Sequence, residues 1–442
     1  MRVRNLLCSS LLLVAIVACA GDPAWLELAP DGRVIARTVV EATCPQIDVD
    51  GKASTMNARS AGASDRNKSA PAGQRLVCET DVTGASKVKV ATTALKMPRG
   101  TPQRIVVIGD TGCRIKIEST DRSADAHFDA EEGAKVKVQD CNDPAQWPFK
   151  AIAVAAAAAQ PDLIIHVGDY VYRESACPLD RQVGCGDSPW GDNWATWDAD
   201  FFAPARPLLE AAPWIFVRGN HEICDRAGKG WLYYLDPRAY SPGQQCSDDT
   251  APYAVKLGSF QALVLDSSNA ADDAPATDRV AAFTAQFRLA ASLQLSHALL
   301  ISHRPIWAAR AGGKGERFTV RTLNATLEHA WAAAPISGVD LIVAGHTHLF
   351  ELLSFEQRLP PQAVIGNSGT KLAHRIKGGL EGVSIGEATI AHASAASEFG
   401  FAVVKPLGSS QGWSLRLHDS TGKKQLTCSI GRHDIQCHGT RP

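Results

Sequence analysis

Five short apolar runs in this chain stop at residues able to bind a metal ion, and that repeated ending constrains the fold most. Residues 105–108 lead into Gly109-Asp110, 163–167 into Gly168-Asp169, and 214–217 into Arg218-Gly219-Asn220-His221. Residues 298–302 lead into His303, and 340–344 into Gly345-His346-Thr347-His348. Short, unbroken apolar runs bounded by turn residues predict strands buried on both faces of a parallel sheet. Helical stretches at 145–160, 201–211 and 277–295 alternate with them, as in an α/β sheet. Open α/β sheets bind ligands at the carboxyl ends of their strands, so side chains far apart in sequence should converge. A lone Gly-Asp is usually a turn, and a lone histidine is usually packed. Five such endings in succession are more than turns require.

The donor types narrow the chemistry. Asp110, Asp169, Asn220, His303, His346 and His348 are joined by Tyr172, three residues after Asp169, and none is a thiol. Carboxylates, an amide oxygen, a phenol and imidazoles suit iron, manganese or zinc. Seven donors exceed one tetrahedral site but suit two ions sharing a carboxylate, which clamp both ends of an in-line displacement at phosphorus.

The 442 residues are 45% hydrophobic, ample for a large core, and carry a formal net charge of −1. That balance argues against a nucleic-acid binder working through a broad basic field. Residues 1–20 read as a leader, with Arg2 and Arg4 ahead of an apolar stretch at 6–18 too short to span a membrane comfortably. Its end reads two ways. Ala18-Cys19-Ala20 fits a cleavage site before Gly21, and Ile16-Val17-Ala18-Cys19 resembles a bacterial lipobox in which Cys19 would be lipidated and attach the chain to a membrane. Both place the mature chain outside the cytoplasm, as a periplasmic, membrane-anchored or secreted protein. Ten cysteines follow the leader and fall into neighbouring pairs: Cys44 with Cys78, Cys113 with Cys141, Cys177 with Cys185, Cys224 with Cys246, and Cys428 with Cys437. In an exported chain these are expected to be disulfides. Residues 21–100 read as a small all-β domain with a packing role, and 101–442 as the catalytic domain, with short β runs in its tail.

The ordered motifs Asp110-Thr111-Gly112, Gly168-Asp169-Tyr170-Val171-Tyr172, Gly219-Asn220-His221-Glu222, Leu300-Ile301-Ser302-His303 and Gly345-His346-Thr347-His348 resemble those of the calcineurin-like metallophosphoesterases, and within them the purple acid phosphatases. The resemblance covers about residues 104–370. It implies a four-layer α/β/β/α sandwich and an acid phosphatase-like hydrolase, in which a metal-bound hydroxide attacks a phosphomonoester. Most of that family carry Asp-x-His in the first motif; here Gly112 replaces the histidine, and Tyr172 can supply the missing ligand. A phenol with a free pKa near ~10 binds as phenolate at lower pH only to a strongly acidic ion such as Fe(III).

By the same resemblance, Asp110, Asp169, Tyr172 and His348 would hold Fe(III), and Asp169, Asn220, His303 and His346 would hold Zn, Mn or Fe(II). Asp169 would bridge. His221 would hydrogen-bond the phosphate or protonate the leaving oxygen, with Glu222 orienting it. Arg304 would grip phosphate oxygens through two N–H groups, while Tyr170 packs or lines the pocket. Two other readings fit the motifs: a phosphodiesterase with the same metals, and a non-catalytic binding module on the same fold. Loss of a ligand or of His221 would favour the module, and none is lost.

Overall fold

The computed structural model describes residues 21–59, 73–117, 136–178, 182–241, 243–272, 274–293, 297–312, 319–320, 323–376, 379–408 and 412–439. Residues 1–20, read as a leader with either a cleavage site or a lipobox-like end, lie outside them. All five apolar runs form strands, and they divide between two sheets. Ile105–Ile108, Leu163–His166 and Trp214–Phe216 lie side by side and parallel in an eleven-stranded sheet. Phe260–Val264, Ala298–Ile301, Val339–Ala344 and Gln362–Ile365 form the parallel part of an eight-stranded sheet.

Alternation of side chains along each strand builds the layers. Ile105, Val107, Leu163 and Ile165 share one core with Leu299, Ile301, Leu341 and Val343 of the other sheet. On its outer face the first sheet packs Val106, Ile164 and Phe216 against the helices Phe149–Ala158 and Ala203–Leu209. Leu263, Leu300 and Ile342 of the second sheet pack against Thr277–Leu293 and Ala325–Ala333. Each parallel strand is therefore buried on both faces, which is why its sequence is unbroken in apolar residues. The result is the expected four-layer α/β/β/α sandwich.

The N-terminal stretch is all β, as read. Gln46–Val49, Lys52–Thr55, Val88–Val90 and Thr93–Leu95 form a four-stranded sheet of their own. Ala24–Leu28, however, runs parallel to Trp214–Phe216, and Val34–Val40, Leu76–Asp81 and Asn57–Ala58 continue the same sheet outward. The boundary drawn at residue 100 is thus crossed by the eleven-stranded sheet. The tail covers that sheet's other side, where Gly400–Pro406 pairs antiparallel with Ile105–Ile108. All five expected disulfides are formed. No helix among the described residues is long and apolar enough to cross a membrane.

Two polar side chains inside the second sheet fix the backbone that follows His303. Gln362 accepts from the Ile306 N–H at 2.8 Å, and Glu351 from the Ala309 N–H at 3.3 Å. Glu351 is fully buried, and burial pushes its carboxyl up to about 8. A carboxyl raised in the fold ionises earlier in the unfolded chain. Its stabilisation is complete below pH about 4.5, the ordinary value, and is lost as the pH rises to about 8, by up to ~1.4 kcal/mol per unit. Glu351→Gln should therefore gain stability relative to the parent between pH 5 and pH 9, measured by urea denaturation at both. A difference unchanged by pH would refute the protonated assignment.

Candidate metal centre

The strand ends aim their side chains through strained turns. Asp110, Asp169, His346 and His348 adopt left-handed φ angles of 56°, 60°, 75° and 49°. Such angles are unfavourable for non-glycine residues and gather at functional sites. Glu222 secures one of these turns: its carboxylate accepts from the backbone N–H groups of Asp169, Tyr170, Val171 and Gly219 at 2.8–3.2 Å. Gly112 is fixed by crowding. A Cβ there would stand 2.5 Å from the Tyr170 carbonyl oxygen and 2.8 Å from the Tyr172 nitrogen. A histidine cannot occupy that position while Tyr172 holds its own.

All seven expected ligands come together from the facing ends of the two sheets. Ligand atoms of Asp110, Asp169 and His348 lie within 4.8 Å of one another, as do those of Asp169, His303 and His346. Asp169 belongs to both groups. The Tyr172 hydroxyl lies 3.1 Å from Asp110 Oδ1, 2.7 Å from Asp169 Oδ2 and 2.9 Å from His348 Nε2. Asn220 Oδ1 is 2.9 Å from His303 Nε2, which is 3.2 Å from Asp169 Oδ2.

Proton counting shows what this cluster fits. His303 Nδ1 lies 2.8 Å from the Val167 carbonyl and His348 Nδ1 lies 3.1 Å from the Lys371 carbonyl. A carbonyl only accepts, so both Nδ1 atoms donate, and Nε2 is left as the atom of each ring able to offer a lone pair to a metal ion. The His303 lone pair then faces Asn220 Oδ1 and Asp169 Oδ2, acceptors against acceptors. The single Tyr172 proton is likewise set against two carboxylates and the His348 lone pair. Cations at these two places resolve both conflicts.

The electrostatics agree. Burial, then Asp169, pushes the Asp110 carboxyl well above its usual range. For Asp169, burial is outweighed by positive charge at the His303 and His221 positions, which holds the carboxyl well below its usual range, and a cation in the ligand group would supply that charge with both rings neutral. Burial drives His348 well down, and burial with the Asp169 charge drives the Tyr172 phenol well up.

The three residues expected to act on substrate fare differently. His221 sits at the cluster but outside both ligand groups. Its ring lies on Tyr172 with centroids 3.8 Å apart, and Nε2 is 3.8 Å from Asp169 Oδ2. Glu222 does not orient it, because its carboxylate is taken up by the backbone of the Asp169 turn. The groups against the His221 ring are Glu174, with Oε1 2.5 Å from Nδ1, and Arg226, with Nη2 2.8 Å from Nδ1 and 3.0 Å from Nε2. Arg226 and Glu174 are themselves ion-paired. Burial, then Arg226, lowers the His221 pKa.

Arg304 is buried, with Nη1 2.5 Å from Asp272 Oδ2 and 3.0 Å from His346 Nε2. Arg304 thus engages Asp272 and His346, protein groups, where a phosphate grip was expected. Tyr170 packs, stacked on His166 with its hydroxyl donating to the Val217 carbonyl at 3.0 Å. Sequence reading passed over Glu174, Arg226 and Asp272. Only Glu174, two residues after Tyr172, carried a local signal.

Residues 103–350 match the family model for calcineurin-like phosphoesterases. Among solved structures, the chain is similar to the purple acid phosphatase PPD1 from yellow lupin (Lupinus luteus) seeds, at 14% identity and a TM-score of 0.52, over 95% of this chain and 74% of that one. It is also similar to PhoD, at 11% identity and a TM-score of 0.54, over 96% of this chain and 92% of that one. At such identities the likeness is one of fold. No curated protein matches the chain.

Proposed function

Because the chain belongs to the calcineurin-like phosphoesterase family, we propose that it is an exported phosphomonoesterase working with two metal ions. The observation that carries this reading is the place of Asp169 in both ligand groups. Asp110, Asp169, Tyr172 and His348 would hold one ion, and Asp169, Asn220, His303 and His346 the other. Such a pair, when bound, offsets charge on the phosphoryl group and lowers the pKa of water into the neutral range.

The chain supplies the rest. Glu174 engages His221 at Nδ1, and the Nε2 corner, 3.8 Å from Asp169 Oδ2 and 3.0 Å from Arg226 Nη2, is the side of the ring that would meet the phosphate or the leaving oxygen. Protonated at acid pH, that corner can donate to the departing alkoxide. This supports an acid phosphatase-like optimum. The raised Tyr172 phenol supports Fe(III) at the first site, since only a strongly acidic ion would hold it as phenolate. Zn, Mn or Fe(II) would occupy the second. Five disulfides support export, and the mass of the mature N-terminal peptide separates a lipidated Cys19 from a chain cleaved before Gly21.

Metal analysis, a visible spectrum and turnover on chromogenic esters test this reading together. Two ions per chain, one of them iron, a phenolate-to-iron band and faster cleavage of the monoester than the diester are expected. Tyr172→Phe should abolish the band while the fold is kept. A colourless, iron-free, active enzyme would remove the iron assignment and leave the two-ion site standing. Preference for the diester would make the protein a phosphodiesterase.

A further inference from the structure

A sixth strand end reaches the same centre. Phe260–Val264 lies beside Ala298–Ile301, and the segment that follows it touches both histidines of the second ligand group. Ser267 Oγ accepts from the backbone N–H groups of His303 at 3.1 Å and Arg304 at 2.8 Å. Five residues on, Asp272 Oδ2 lies 3.0 Å from His346 Nε2 and 2.5 Å from Arg304 Nη1. We propose that Asp272 is the positioning residue of the second metal site, orienting His346 through its Nε2–H, with Arg304 as its counter-charge. The proposal rests on the two-ion reading above.

Three observations support it. Asp272 Oδ2 can only accept and Arg304 Nη1, 3.0 Å from the same ring nitrogen, can only donate; with the guanidinium donating to Asp272, Nε2 of a neutral His346 ring donates to the carboxylate as well, which would leave Nδ1 as the ring's ligand atom. A carboxylate partner of this kind fixes a ligating ring and raises its basicity. Arg304 then offsets the added charge, so the second site gains orientation without becoming more negative. Finally, the other Asp272 oxygen, Oδ1, is buried with no hydrogen-bond partner. A salt bridge built for stability alone would be expected to satisfy both oxygens, since a buried acceptor without a donor is destabilising.

The test uses the full protein, stripped of metal, reloaded at the first site with iron, and titrated with zinc. Asp272→Asn should weaken zinc uptake about 10–100-fold while the first-site ion and its visible band remain, and excess zinc should restore turnover. Asp272→Ser, which leaves room for a bridging water, is the second variant should the amide oppose Arg304 and prevent folding. Arg304→Gln should shift the zinc titration in the same direction as Asp272→Asn. Zinc uptake equal to that of the parent would overturn the proposal. So would parallel loss of iron, zinc and thermal stability, the mark of a merely structural pair. Failure of the two-ion reading looks different, because the parent itself would then take up fewer than two ions.

Discussion

Asp169→Asn should lower turnover of a phosphomonoester by at least about 10³-fold with the fold intact, because several kcal/mol of transition-state charge stabilisation depend on the two-ion site. The substitution changes almost nothing in shape. An amide oxygen can still accept from the His221 N–H, now 2.9 Å from Asp169 Oδ1. What disappears is the negative charge shared by the two ligand groups and the second anionic oxygen, which lies 2.7 Å from the Tyr172 hydroxyl and 3.2 Å from His303 Nε2. An amide nitrogen there would donate toward a site built to receive a cation. Metal content should fall below two ions per chain, and the circular dichroism spectrum should be unchanged. Full activity in the variant would refute the site as drawn.

The ligands were legible because parallel strands bring their carboxyl ends together whatever the loops between them do. Asp110 and His348 are far apart in sequence, yet each follows an apolar run, and that was enough to predict their meeting. The glycine at 112, where the resembled family carries a histidine, was legible as a pair with Tyr172. The structure gives the physical reason, since the backbone of residues 170–172 fills the space a side chain at 112 would need.

Residues that serve the ligands left no comparable trace. Asp272 lies beyond the strand Phe260–Val264, which is followed by Leu265-Asp266-Ser267 with no metal-binding pattern, and its proposed role depends on Arg304 and His346 arriving after two other strands. Glu222 looked like a partner of His221 because it is adjacent, but its carboxylate turns back onto the Asp169 turn. The N-terminal stretch reads as a separate domain, yet its strands join the large sheet, and there Glu27 and Arg37 are both fully buried. They pair with each other, and Arg37 also donates to the carbonyls of Tyr234 and Asp236. Paired charges can enter a core that unpaired ones cannot, and only the tertiary structure supplies the partner.

His221→Asn should separate proton donation from phosphate binding. Loss of a general acid reduces turnover by about 10²–10⁴-fold when the leaving group is a poor one. A nitrophenolate leaves readily without a proton, so its ester should lose far less than an alkyl phosphate. Two contacts bear on the donor role we propose. Glu174 lies against Nδ1, and the ring, tilted over Tyr172, sets Nε2 3.8 Å from Asp169 Oδ2 and 3.0 Å from Arg226 Nη2. Measuring kcat for both esters, in the parent and in His221→Asn, gives the answer as a ratio of ratios. A much larger loss on the alkyl ester identifies His221 as the proton donor. Equal losses on the two esters would instead place the imidazole on the phosphoryl oxygens, where its hydrogen bond would be made regardless of which group departs.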